Sequence, residues 1–178
     1  MTQIPQHLAF TIRYDGAVRE LCTSIKIGLP SLTADFDPNK NFADFARAIW
    51  DTGATGTVIN KRVVDALGLQ PTGMQKVIGV NNESIKATHM VDLILPNNVV
   101  VQNVNVVEGS GSFDVLIGMD IIQMGDFFIS RAQGRTMFSF CIPPHETPTD
   151  LVEKSNAINR AIAKRMRKAT KFAKSASP

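Results

Sequence analysis

The residues in this 178-residue chain best suited to chemistry are Asp51-Thr52-Gly53-Ala54, which follow the apolar pair Ile49-Trp50. Burial at the end of an apolar strand penalises an ionised carboxylate, so an acid placed there either finds a partner or does acid-base work. Gly53 lets a second backbone approach closely, and the Thr52 hydroxyl offers a donor and an acceptor to a network holding the loop. The bare pattern also suits a plain Asx turn at a strand end. Other catalytic templates find little. His7, His89 and His145 are far apart in sequence, and there is neither a His-Glu-x-x-His pair nor a Gly-x-Ser-x-Gly elbow. Gly109-Ser110-Gly111-Ser112 lacks the lysine of a phosphate loop. Asp35, Asp37 and Asp44 read as solvated loop charges without calcium-loop spacing. No metal or other cofactor is expected.

The elements that must position Asp51 are mostly short β-runs. Leu8–Tyr14 and Leu21–Ile27 alternate apolar and polar residues around Asp15-Gly16 and read as a hairpin. Residues 30–48 have no clean period and suggest a long loop with one short helix at 42–47. After the Asp51 turn, Asn60 caps a helix over Lys61–Leu67 that Gly68 ends. Strands at 75–80 and 84–95 meet at the tip Asn81-Asn82-Glu83, and Pro96-Asn97-Asn98 turns into Val99–Val107, whose valines change face once. Phe113–Gly118 is a short apolar strand followed by a one- or two-turn helix, and 127–130 with 135–142 form a closing hairpin. Short strands without long helices predict an all-β, closed barrel rather than a doubly wound sheet.

With 44% hydrophobic and 20% charged residues, the chain reads as an ordinary globular protein, which excludes disorder and disulfide scaffolds. Cys22 and Cys141 are too few and too widely spaced for a disulfide framework or a zinc site, and read as buried free thiols. That usage, the lack of an 18-residue apolar run and an N-terminus without signal-peptide character lead us to expect a cytoplasmic protein. The net charge of +3 is unevenly spread. Residues 1–142 hold 11 Lys/Arg against 13 Asp/Glu, and 143–178 hold 8 against 3, so the basic character belongs to the tail. Pro143-Pro144 marks the cut, giving a body over 1–142, with 30–47 as an insertion, and a linker and tail over 143–178. In the tail, Leu151, Ile158, Ile162, Met166, Ala169 and Ala173 share one helical face, and seven Lys/Arg from Arg160 onward cover much of the rest. An amphipathic helix docked on the body or a dimer mate is the simplest reading of it.

Three features in order resemble the retropepsin-like aspartic proteases. They are Ile49-Trp50-Asp51-Thr52-Gly53-Ala54 continued by Thr57-Val58-Ile59, a hairpin Val77–Ile85 with Gly79 near its tip, and Val115-Leu116-Ile117-Gly118-Met119-Asp120. The resemblance implies an acid-protease-type barrel with a flap hairpin, acting as an aspartic endopeptidase on polypeptide bound in extended form. Hydrolysis by carboxylates alone needs two of them sharing a proton, one as base toward water and one as acid toward the carbonyl oxygen. This chain has one Asp-Thr-Gly, so the resemblance implies a homodimer with Asp51 from each subunit, titrating as a coupled pair. It also implies that Thr52 bonds across the dimer axis, that Gly53 offers its carbonyl to substrate, and that Ala54 leaves the carboxylate without a side-chain donor. Serine-containing relatives have such a donor, so Ala54 implies a less acidic pH optimum than theirs.

Gly79, Val80, Asn81 and Asn82 would close over the peptide as the flap, Val58, Ile78 and Ile117 would wall the subsites, and Gly118 and Asp120 would belong to the supporting loop. Thr55 stands where viral members carry a substrate-contacting acid, and the flap has one glycine where theirs have several. The alternatives are a catalytically inactive module of this fold for peptide docking or dimerisation, and a protein that works through its basic tail on nucleic acid, an anionic membrane or a protein partner.

Overall fold

A computed structural model describes residues 7–30, 42–78 and 83–175, with the side chains of the last helix described as far as residue 169. The chain falls into two compact units, residues 1–144 and 145–178. In the first, six strands close a barrel in the order β2 (Cys22–Gly28), β3 (Phe42–Trp50), β8 (Val115–Ile117), β4 (Val58–Asn60), β7 (Val99–Gly109) and β6 (Glu83–Leu95), with β6 pairing back onto β2. β5 (Gly73–Ile78) extends outward from β6. Closure through Ile27↔Leu93 removes the free edges an open sheet would present. β1 (Leu8–Arg13), β10 (Arg135–Ile142) and β9 (Asp126–Ala132) form a separate antiparallel sheet. The unit is thus mainly β, with short helices α1 (Lys61–Leu67) and α2 (Met119–Ile122).

An aromatic cluster lies where the two sheets meet. Phe10, Trp50, Phe138 and Phe140 are buried, and the Trp50 ring lies 5.0 Å from both Phe138 and Phe140, 5.8 Å from Phe10 and 5.9 Å from a stacked Phe127. Trp50 ends a barrel strand while the four phenylalanines belong to the other sheet, so the residue before Asp51 is clamped between them. Its indole N–H donates to the buried Thr23 hydroxyl at 3.1 Å, as a buried indole requires.

Local signals survive well. Asn60 caps α1 by accepting the Arg62 N–H, and Gly68 ends it at φ 61°. The change of face in the valine strand is a β-bulge between Val91↔Val104 and Leu93↔Val101. There Asn103, at φ 55°, gives its N–H to the carboxylate of the fully buried Asp92 at 2.7 Å.

Two expectations fail. Leu8–Arg13 and Cys22–Gly28 are not a hairpin: β1 pairs with β10, whereas β2 pairs with β3 and β6. After β1 the chain stays beside β10 through bonds between Thr136 and both Tyr14 and Gly16, so Asp15-Gly16 leads into a crossing between sheets. Residues 42–47 are strand, not helix. The period-2 pattern is broken by a bulge opposite Thr23–Ile25, and antiparallel pairing with β2 outweighs the i, i+3 spacing of Phe42 and Phe45. Residues 31–41, most of the segment read as an insertion, lie outside the described residues.

Candidate active site

Asp51 lies just past the end of β3, and its N–H donates to the Ile117 carbonyl at 2.9 Å, extending the parallel β3–β8 pairing by one bond. The following loop turns on itself. Ala54 N–H donates to the Asp51 carbonyl, and Gly53 N–H donates to Asp51 Oδ1 at 2.8 Å, so the Asx turn is present. A Cβ on Gly53 would sit 3.1 Å from that same oxygen. Asp51 is half-buried in the protomer, and Thr52 and Gly53 are exposed.

The loop is pinned from behind by the start of α2. Met119 and Asp120 give their N–H groups to the carbonyls of Ala54 and Thr55 at 2.8 and 3.2 Å. The Asp120 carboxylate takes both the N–H and the hydroxyl of the fully buried Thr57 at 2.9 and 2.8 Å, and the Thr57 oxygen in turn accepts the Gly118 N–H at 3.2 Å. Gly118 has no room for a side chain, because a Cβ would lie 2.5 Å from the carbonyl carbon and oxygen of Gly56. Thr57→Val, which keeps the shape and removes the hydroxyl, should leave the Gly118 N–H without its acceptor and Asp120 Oδ1 with the Ile121 N–H as its remaining donor. A loss of about 1–3 kcal/mol is expected, read as a lower urea midpoint at unchanged m. An unchanged midpoint would show that the network does not hold the loop.

Asp114 was missed by sequence reasoning. Only 8% exposed, it gives its N–H to the Arg47 carbonyl at 2.8 Å, takes the Arg47 N–H on its carboxylate at 2.9 Å, pairs with Arg62 at 2.7 Å and accepts the Asn60 N–H on its carbonyl. It thereby joins β3, the head of α1 and β8. The available signal was an acid inside the otherwise apolar Phe113–Ile117 run.

A groove of about 400 Å³ opens beside Asp51 and Thr52, lined by Arg19, Glu20, Leu21, Ile49, Phe127 and Ile129 together with an edge of Trp50. Most of these lie far from Asp51 in sequence and had no motif to flag them. Glu20 is paired with Arg47 at 2.9 Å, and Asp114 and Asp120 are engaged as above. Asp51 has no ion-pair partner among the described residues, which makes it the carboxylate in the groove without a cation.

The predicted subsite walls need one correction. Ile117 is fully buried in the core and pairs with Trp50, so its side chain points away from the groove. Its neighbour Leu116 stands beside Ile49 on β3 and Val58 on β4, and residues two apart on a strand share a face, so Ile49 puts this half-buried trio on the side of Asp51. Ile78 is 73% exposed at the end of β5. Gly79, Val80, Asn81 and Asn82 lie outside the described residues. Thr55 is exposed.

The cysteines offer no nucleophile of comparable standing. Burial pushes both thiols above their ordinary value, against a partial lowering by Arg47 at Cys22 and reinforced by Asp126 at Cys141, which disfavours the reactive thiolate.

Residues 41–121 match the model of a family described as aspartyl protease, a span that runs from just before β3 through the Asp51 loop to α2. Among solved structures, the chain is similar to a retropepsin-like aspartic protease from Rickettsia conorii, at 15% identity over 79% of this chain and 98% of that one, with a TM-score of 0.44. It is also similar to the retroviral protease-like domain of Ddi1 from Leishmania major, at 14% identity over 66% of this chain and 93% of that one, with a TM-score of 0.37. No curated protein matches the sequence.

Proposed function

We propose that this chain, whose residues 41–121 match the aspartyl protease family model, is a retropepsin-like aspartic endopeptidase whose dyad forms across a homodimer. The observation that carries this reading is the state of Asp51: a half-buried carboxylate with no ion-pair partner among the described residues, on a loop pinned by Thr57, Asp120 and three backbone bonds, at the edge of a largely apolar groove. One such carboxylate cannot act as base and acid at once, and the other acids around the groove are engaged. A second Asp51 brought by a twofold axis supplies the missing group.

In the dimer the two carboxylates share one proton, because repulsion at close range prevents both from ionising. The ionised one takes a proton from water as its oxygen bonds to the scissile carbonyl carbon, and the protonated one gives its proton to the carbonyl oxygen. Collapse of the tetrahedral species then breaks the C–N bond, with a proton delivered to the leaving nitrogen. Leu116, Ile49 and Val58 supply apolar contact near the reacting bond. On the β5–β6 hairpin, Met74, Ile78 and Ile85 are exposed, and the register places them on one face. Such a face suits a flap closing over an extended peptide that adds as a strand.

The test is cleavage of a diverse peptide library across a pH series, with and without pepstatin, alongside sedimentation at the assay concentration. Pepstatin-sensitive cleavage by a dimer is expected. A confirmed dimer that cleaves nothing at any pH would instead support the inactive docking module.

A further inference from the structure

We propose that α3, Leu151–Ser175, is a surface anchor that lies on an anionic lipid bilayer, its apolar stripe in the headgroup boundary and its basic face toward the lipid phosphates. The helix starts at Asp150, whose carboxylate accepts the Val152 and Glu153 N–H groups at 2.7 and 3.2 Å, and Glu153 adds an acid to the first turn. From there the two faces separate. Leu151, Ile158, Ile162 and Met166 follow one another at spacings of seven and four residues and are 64%, 60%, 49% and 66% exposed. Among the described residues of the unit formed by residues 145–178, no other element packs on Leu151, Ile158 or Ile162.

Over residues 151–169, six basic residues (Lys154, Arg160, Lys164, Arg165, Arg167 and Lys168) stand against the single acid Glu153, a net charge of +5, and Lys171 and Lys174 follow in the sequence. Each candidate partner must satisfy both faces. A polynucleotide would neutralise the cations and leave the stripe in water, and no aromatic residue lies between 151 and 169 on which a base could stack. A second copy of the helix could cover the stripe, but the heptad that keeps Leu151, Ile158 and Ile162 in the seam also puts Arg165 there, and it brings two helices of like charge together. An anionic bilayer accepts both faces at once, the apolar side chains entering the interface while lysine and arginine meet negative headgroups. The helix would lie on the membrane and not cross it, since no helix among the described residues is long and apolar enough to span one. This anchoring does not depend on the protease reading.

The full chain, and separately its Asp51→Asn variant, would be mixed with vesicles of phosphatidylcholine alone or with about 30% phosphatidylserine and separated by flotation. Both proteins should bind the anionic vesicles at least about tenfold more tightly than the neutral ones, and less as salt is raised. The double variant I158D/I162D should lose binding, and K164E/K168E should lose the preference for anionic lipid. Equal partition of the full chain into both vesicles would overturn the proposal. So would RNA binding without vesicle binding, or self-association abolished by I158D/I162D in a chain that ignores vesicles.

Discussion

Asp51→Asn is expected to lower peptide hydrolysis by about a thousandfold or more while leaving the urea midpoint within about 0.5 kcal/mol of the parent. The asymmetry follows from what each oxygen does. An asparagine keeps the shape and an oxygen that still accepts the Gly53 N–H seen at 2.8 Å, so the turn and its link to Ile117 survive. What is lost is a group that can take and give a proton, and in a homodimer it is lost twice. The proposed twofold site makes a further, quantitative demand. When wild-type and Asp51→Asn chains are mixed equally at constant total protein and allowed to exchange, only dimers with two aspartates should act, so about a quarter of the activity should remain. A site complete within one chain would retain about half. A value near one half would overturn the dimeric dyad while leaving Asp51 itself as the active group.

The largest stability effect is expected at Trp50. Trp50→Ala removes a 5% exposed indole in contact with Phe10, Phe127, Phe138 and Phe140, and strips the buried Thr23 hydroxyl of its donor. Truncations of this kind cost about 3–5 kcal/mol, a large share of the roughly 5–15 kcal/mol by which a domain is stable. Trp50→Phe separates the two contributions, since it keeps most of the ring packing and loses the N–H. It should fall well short of the alanine effect, at about 1–3 kcal/mol. Because Asp51 directly follows Trp50 at the end of β3, activity in the alanine variant should fall further than its folded fraction at the assay temperature. Loss of less than about 1 kcal/mol in Trp50→Ala would mean that the cluster does not tie the barrel to the second sheet.

Where the sequence was legible, the deciding interactions are local or follow from strand period. Asn60 and Gly68 bound α1 through bonds within a few residues, and the change of face near Asn103 shows as a break in a valine alternation before any partner strand is known. The closed, mainly β architecture follows from many short strands that each need a covered face and a paired edge. Order along the chain also carried the family resemblance, because the Asp51 loop, the hairpin and the Gly118 segment keep their sequence even though they are joined only in space.

The errors have the opposite character. Which strand β1 joins is settled by β10, more than a hundred residues away, and Asp15-Gly16 is equally at home in a hairpin tip or a crossing loop. Phe42–Arg47 shows helical spacing only because a bulge interrupts its strand, and the partner that imposes the bulge is β2. Whether Leu116 or Ile117 shares the face of Asp51 turns on a one-residue register against β3, which reverses every side chain on the strand.

Composition, turn residues and period therefore establish the kinds of element, the carboxylate at a strand end and the basic amphipathic tail, since each depends on neighbours a few residues apart. The groove partners Arg19, Leu21 and Phe127, the hub at Asp114 and the outward face of Leu116 come only from the folded chain. They are decided by contacts between distant segments, whose pairing depends on closing the barrel and packing the second sheet against Trp50.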